Sequence, residues 1–195
     1  MFTGIIEALG TVRSLQKTEN LLTLAVKRPG AFDDLRVGDS IANDGVCLTV
    51  TALKGGCCYF DLMKETLEAT TLRHVVPGTK LNLERAMKAD ARLGGHFVTG
   101  HVDGVGCIRA VRTLPNYVEY RIAAGRDLMR YIVPKGSVAL DGISLTVGEV
   151  RRDWFAVYFI PHTLKVTAIG AKKAGDEVNI ETDLLAKYIL KAVAS

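Results

Sequence analysis

Apolar and polar residues alternate over short stretches of this chain, and the stretches come in pairs. Val46, Leu48 and Val50 alternate with Cys47, Thr49 and Thr51. Much later, Ile143, Leu145 and Val147 alternate with Ser144, Thr146 and Gly148. A period of two puts every second side chain on one face of a strand. The aliphatic residues therefore predict a core face, and the Cys/Thr and Ser/Thr residues the opposite face. The run Lys54-Gly55-Gly56 predicts a turn, followed by a strand with Cys58, Phe60 and Leu62 on its apolar face. The later partners of these three are Phe155, Val157 and Phe159. Asp44-Gly45 and Asp141-Gly142 are turn dipeptides that feed hairpins. Short strands joined by Gly-rich turns predict a small closed barrel in each half. Helical reading is confined to residues 64–72, 127–132 and 184–193. In the last of these, Leu184, Leu185, Tyr188, Ile189 and Val193 follow helical spacing. That helix comes after two complete barrels, so its stripe packs either on its own barrel or on another copy.

The pairing is an internal duplication. Sliding the chain along itself by 97 residues brings Ser40 onto Ser137, Ala42 onto Ala139, and Asp44-Gly45 onto Asp141-Gly142. The same shift brings Leu48-Thr49-Val50 onto Leu145-Thr146-Val147, Thr70 onto Thr167, Asn82 onto Asn179 and Glu84 onto Glu181. One residue's change of register aligns the starts, Thr3-Gly4-Ile5-Ile6-Glu7 with Thr99-Gly100-His101-Val102-Asp103. The expected organisation is all-β, with two similar tandem six-stranded barrels at residues 1–95 and 96–183 and a C-terminal helix at 184–195. The joint falls near Gly94-Gly95.

Composition adds little to this picture but removes alternatives. The 195 residues are 48% hydrophobic, with 24% charged residues and a net charge of +4. That suits a well-packed core and not a disordered chain. Basic residues are scattered, so they read as solvated surface and not as a nucleic-acid patch. No apolar run reaches membrane-spanning length, and the start lacks a basic leader region, so a cytoplasmic protein is expected. The cysteines Cys47, Cys57, Cys58 and Cys107 lack zinc spacing and read as reduced thiols, so no metal is expected.

The duplication draws attention to what it does not preserve. Cys47 becomes Ser144 within otherwise matching segments. A thiol can act as nucleophile or acid, whereas a serine without a base mostly hydrogen-bonds. The competing reading is two small residues of similar volume on a packed strand. His101 replaces Ile5, sharing a strand face with Thr99 and Asp103. An imidazole suits proton transfer at neutral pH. Lys135 stands where the first repeat has Gly38, and His96 and His74 read as structural.

Together, the opening Met1-Phe2-Thr3-Gly4-Ile5-Ile6-Glu7, the segment Thr99 to Gly104, the NDGVCLTV and DGISLTV pair, and Phe60 to Leu67 resemble the alpha-chain type of riboflavin synthase. The resemblance covers nearly the whole chain. It implies two Greek-key barrels plus a C-terminal helix in a homotrimer, with active sites between subunits, and association with lumazine synthase. It also implies a cofactor-free dismutation, the last step of riboflavin biosynthesis. Two molecules of 6,7-dimethyl-8-ribityllumazine give riboflavin and 5-amino-6-(ribitylamino)uracil by transfer of a four-carbon unit. Carried over by motif, the first-barrel contacts are Phe2, Gly4, Ile5, Ile6, Cys47, Leu48, Thr49, Asp61, Leu62, Met63, Lys64, Glu65 and Thr66. The second-barrel contacts are Gly100, His101, Val102, Lys135, Asp141, Ser144, Leu145, Thr146, Ile160, Pro161, His162, Thr163, Leu164 and Lys165. His162 departs from the acidic residue expected opposite Glu65. Cys47, His101 and Ser144 are the catalytic candidates, with base and nucleophile unassigned among them.

Two alternatives share the architecture. A non-catalytic lumazine- or flavin-binding protein would lose part of the catalytic set, whereas this chain keeps Phe2, Cys47, His101 and Ser144. A flavin-dependent reductase would carry a dinucleotide-binding half with GxGxxG after a strand. Here the second half repeats the first.

Overall fold

The computed structural model describes residues 1–19 and 21–193. Its first barrel contains β1 (Ala8–Lys17), β2 (Leu21–Lys27), β3 (Ser40–Asn43), β4 (Val46–Lys54), β5 (Cys57–Met63) and β6 (Lys80–Arg85). They close in the order β1-β2-β5-β4-β3-β6, all pairs antiparallel. The second barrel contains β7 (Gly104–Thr113), β8 (Val118–Ala123), β9 (Ser137–Leu140), β10 (Ile143–Val150), β11 (Trp154–Phe159) and β12 (Glu177–Thr182). Its cyclic order β7-β8-β11-β10-β9-β12 reproduces the first barrel strand for strand. β1 and β7 also carry bulges at matching places, between Val12 and Ser14 and between Ile108 and Ala110. A bulge increases local twist and bends a strand, which helps so small a sheet to close.

The alternation read from the sequence sets the register. Val46, Leu48 and Val50 point into the first core beside Phe60 and Leu62, while Thr49 and Thr51 are exposed. Ile143 and Val147 enter the second core with Phe155, Val157 and Phe159. Asp44-Gly45 forms a two-residue turn between β3 and β4, with φ values of 45° and 79°, and Asp141-Gly142 does the same at 44° and 79°. Such left-handed pairs match the twist of the flanking strands.

The first two helices are shorter than the spans read for them, and a third, at Pro161–Val166, lies outside those spans. α1 spans Lys64–Ala69, not 64–72, and a separate 3₁₀ turn follows at Thr71–His74. Thr70 ends α1 by adopting an extended backbone while its hydroxyl donates to the Thr66 carbonyl at 2.7 Å. α2 spans Arg126–Met129. α3 (Pro161–Val166) begins on a proline, whose fixed φ suits a first helical position. Thr167 ends it with the same hydroxyl bond, to the Thr163 carbonyl at 2.7 Å. α4 spans Leu184–Val193, the range its spacing predicts, and positions 194–195 of the expected 184–195 unit lie outside the described residues. Its apolar stripe stays open: Leu185 is 61%, Tyr188 69%, Ile189 62% and Val193 80% exposed.

The two barrels meet about a local twofold axis at the Asp-Gly turns. An added Cβ on Gly45 would lie 2.7 Å from the Gly142 nitrogen, and one on Gly142 would lie 2.8 Å from the Gly45 nitrogen. Only glycine lets the turns pass this closely. Two buried asparagines bind the halves together. Asn82 Nδ2 donates to the Asp141 carbonyl at 2.9 Å, and its Oδ1 accepts from Ala168 N at 2.7 Å. Asn179 Nδ2 donates to the Asp44 carbonyl at 2.8 Å, and its Oδ1 accepts from Thr71 N at 2.8 Å. Each asparagine therefore uses its amide on the opposite barrel, which is why both copies retain it.

Candidate functional site

The segments preceding the two barrels are exchanged. Residues 3–7 precede β1, yet Gly4 lies on the second barrel, where its carbonyl accepts from Ser144 N at 2.8 Å. Residues 99–103 precede β7, yet the Gly100 carbonyl accepts from Cys47 N at 2.9 Å in the first barrel. The side chains follow: Val102 packs on the first core and Ile6 on the second. Both contacts need glycine. An added Cβ on Gly4 (φ +77°) or Gly100 (φ +80°) would stand 2.5 Å from Ser144 Cβ or Cys47 Cβ respectively. This corrects the grouping made by motif. Gly100, His101 and Val102 join Cys47, whereas Gly4, Ile5 and Ile6 join Ser144.

Each crossing segment is clamped by a buried glutamate. Glu84 accepts from Thr3 N at 2.6 Å, Thr3 Oγ1 at 2.7 Å and Gly4 N at 2.9 Å. Glu181 accepts from Thr99 N, Thr99 Oγ1 and Gly100 N at 2.6, 2.7 and 2.9 Å. Burial pushes the Glu84 carboxyl above its ordinary value, and the bonds from Thr3 and Gly4 pull it back. Charge-assisted bonds of this kind fix geometry strongly. The repeat of Glu84 at Glu181 was visible in the sequence, but its clamping role was not.

On the first barrel the structure places half-buried Cys47, exposed Thr49 and Asp61, Met63 at the start of α1, and exposed His101. Asp61 accepts from the Thr23 hydroxyl at 2.7 Å, which holds its carboxylate in place. Lys64 and Glu65 are exposed and Thr66 half-buried, whereas Leu48 and Leu62 face the core. The second surface comprises Ser144, Leu145, exposed Thr146, Ile160, and the first turn of α3 with Pro161, His162, Thr163, Leu164 and Lys165. Ile5 borders it, 49% exposed. Lys135 adopts a left-handed φ of 63°, the place of Gly38 with φ 95° in the first repeat. A lysine carries strain there that glycine would not.

Phe2 and Asp141, like Leu48 and Leu62, are buried away from the open surfaces. Phe2 is fully buried between the barrels, packed with Ala42, Val98 and Ala139 and partly with Cys47. It supports the Cys47 strand from behind. Asp141 is also fully buried, with Oδ1 accepting from Asn179 N at 2.8 Å and Oδ2 paired with Lys172 Nζ at 2.5 Å. Its carboxylate bonds within its own barrel, while its backbone carbonyl joins the two barrels through Asn82, so the side chain is not part of an open surface.

His96 carries more than the structural role read for it. Its Nδ1 lies 2.7 Å from Ser144 Oγ, and burial pushes its pKa below the ordinary histidine value. A neutral imidazole is thereby favoured beside this hydroxyl. The spacing Gly94-Gly95-His96 offered one signal: a Cβ on Gly95 would meet the Thr3 carbonyl at 2.1 Å and Ser144 Oγ at 2.8 Å. A cleft of about 580 Å³ lined by Thr3, Ile5, Ser40, Glu84, Arg85 and Met87 opens beside the first crossing segment. Cys47, His101 and Ser144 are not among its lining residues.

Two closed barrels with paired, open, polar-faced surfaces define a double small-molecule binding module. The lumazine binding domain model matches twice, over residues 3–86 and 99–183. Riboflavin synthase from Actinobacillus pleuropneumoniae is 44% identical, covering 97% of this chain and 88% of that protein. Riboflavin synthase from Bacillus subtilis (strain 168) is 42% identical, covering 98% and 89%, and that from Escherichia coli (strain K12) 40%, covering 99% and 92%. The crystal structure of LumP complexed with riboflavin superposes with a TM-score of 0.85 at 25% identity, covering 93% of this chain and 99% of that one. The chain belongs to the lumazine-binding domain family, in its two-domain form. Within that family it is a riboflavin synthase, an enzyme of the transferase class.

Proposed function

We propose that the enzyme dismutates two 6,7-dimethyl-8-ribityllumazine molecules, one held by a first-barrel surface and one by a second-barrel surface of a neighbouring copy. The crossed threading carries this reading. It gives two equivalent scaffolds unequal chemistry, with a thiol and the His101 segment on one and a hydroxyl backed by a neutral imidazole on the other. A donor and an acceptor of one compound need that inequality. A proton must leave the methyl group beside the ribityl-bearing nitrogen, and the other ring must become electrophilic. His101 is the candidate for proton transfer, and Cys47 and Ser144 for activation or hydrogen bonding. Exposed Thr49, Asp61 and Thr146 offer partners for ribityl hydroxyls. Holding two flat rings in stacked register supplies much of the acceleration.

Both surfaces are open in the single chain, with Met63 62% and Ile160 57% exposed, so each is half of a closed site. The bare stripe of α4 supports assembly with further copies, and the family reading makes that assembly a cytoplasmic homotrimer, with lumazine synthase as an associating partner. Incubating the protein with the lumazine, without nucleotide or added metal, should yield riboflavin absorbance. Tight binding without turnover would instead favour an antenna-like binding protein. Two blocked variants test the shared site: Thr49→Arg closes the first surface and Thr146→Arg the second. Mixed subunits should recover activity that neither variant has alone. Mixtures as inactive as either variant would sink the idea of a site between copies.

A further inference from the structure

The segment bearing His101 is held at its far end by Asp103. The Asp103 amide donates to the Ile180 carbonyl at 2.9 Å, and Oδ2 accepts from Thr182 N and Thr182 Oγ1, both at 2.8 Å. Its other oxygen, Oδ1, pairs with Lys187 Nζ at 2.7 Å. Lys187 belongs to the first turn of α4. The two side chains are only 25% and 26% exposed, so the pair is partly withdrawn from water.

The first repeat lacks this connection. There the far end of the crossing segment is Glu7, which pairs with Arg85 on β6, inside its own barrel. Of the two crossing segments, the one that carries His101 pairs with the helix, through Asp103 and Lys187. The same helix exposes Leu185, Tyr188, Ile189 and Val193. In the assembly proposed above, a further copy of the chain covers that stripe.

We propose that Asp103 and Lys187 are positioning residues that convey the docking of α4 to the placement of His101. The inference rests on the functional reading above, in which His101 borders the lumazine. Asp103 lies two residues from His101, in the irregular segment ahead of β7 and not, as the alternation suggested, on a shared strand face. A shift of Lys187 pulls the carboxylate through a charge-assisted bond, and the short segment between the Glu181 and Asp103 clamps moves with it. Misplacement by a fraction of an ångström changes turnover more than binding. The undocked chain therefore has a poorly aligned His101, and assembly corrects it.

The test uses full-length Lys187→Met, Lys187→Arg and Asp103→Asn. Sedimentation confirms assembly, steady-state kinetics separates kcat from KM, and NMR follows the His101 imidazole signals. Lys187→Met keeps the stem and the helix propensity. It should lower kcat about tenfold while KM stays within about twofold, and it should shift the His101 signals. Lys187→Arg should restore most of the loss. Asp103→Asn should match Lys187→Met, the double variant should be no worse than either, and Lys187→Met should add nothing in a His101→Gln background. Parent-like kcat with unmoved His101 signals, or additive losses in the double variant, would overturn the coupling. If the parent itself shows no turnover, the functional reading falls, and the His101 signals alone still decide the coupling.

Discussion

Asp44 should make the protein lose stability as pH rises, and Asp44→Asn should abolish that loss. The side chain is 5% exposed at the axis between the barrels. Its Oδ1 accepts from Asn82 N at 2.7 Å. Across the axis, the Asp141 carboxylate takes Lys172 as its direct partner at 2.5 Å. Two buried acids thus share one buried cation. The first repeat has Val75 where the second has Lys172, so no second lysine balances Asp44. Burial first, and the Asp141 charge second, push the Asp44 carboxyl from 3.8 up to about 8, with Lys172 opposing.

The folded state therefore keeps a proton that the unfolded chain releases near pH 4. Below that pH both states hold the proton. Between about pH 4 and pH 8 the unfolded chain binds fewer protons, so stability falls, and the loss is complete above about pH 8. At about 1.4 kcal/mol per pH unit, the ceiling is about 6 kcal/mol. Relaxation and water entry reduce such penalties, so about 3 kcal/mol is a working figure. In a chain of this size that is about 6–12 °C in Tm. Asparagine tolerates the left-handed φ of 45°, and its Oδ1 can still accept from Asn82. Urea unfolding at pH 5, 7 and 9 should show Asp44→Asn overtaking the parent as pH rises. Parallel pH profiles for the two proteins would refute the shared-cation argument.

Two further substitutions probe the same region, with Gly55→Ala as a control away from it. Gly45→Ala places a Cβ 2.7 Å from the Gly142 nitrogen and should cost at least about 3 kcal/mol in urea unfolding. Gly55→Ala, also at positive φ but with nothing within 4 Å, should cost only about 1 kcal/mol; equal costs would show that the turn contact is unimportant. Asn43 is fully buried and its Oδ1 has no partner, whereas the second repeat has Leu140 at this position. Asn43→Leu should raise stability by about 1 kcal/mol, and a lower urea midpoint would contradict that.

Alternation and duplication made the barrels legible, because burial dictates the side-chain period and turn geometry dictates Asp-Gly. The exchange of the leading segments was not legible. Thr3 to Glu7 aligns with Thr99 to Asp103 in sequence, and alignment says which residues are equivalent, not which barrel they touch. The deciding bonds, Gly4 to Ser144 and Gly100 to Cys47, join residues far apart in the chain. Their energetic basis is the apolar pair Ile6 and Val102, each seated on the other half's core. The end of α1 was not legible, for a local reason. Thr70 turns its hydroxyl back onto the preceding turn and stops a helix whose apolar spacing continues, and Thr167 does the same to α3, which lies outside the helical reading. Asp141 was assigned to ligand because it sits beside Ser144 in a matching motif, but that motif serves the joint and the pocket at once.

That double service explains where the repeats diverge. Positions that close the barrels or clamp the segments stay alike, as with Gly45 and Gly142, Asn82 and Asn179, and Glu84 and Glu181. Divergence falls at positions with one job. Cys47 and Ser144, Gly38 and Lys135, and Ile5 and His101 differ on or beside the open surfaces, while Val75 and Lys172 differ at the buried acids. The crossing segments make this division necessary. Because Gly4 completes the second surface and Gly100 the first, neither half builds its surface alone. A change in one segment therefore alters the chemistry of the opposite barrel while leaving its own strand closure intact. Two copies of one scaffold could thus acquire different roles toward one compound without either ceasing to fold.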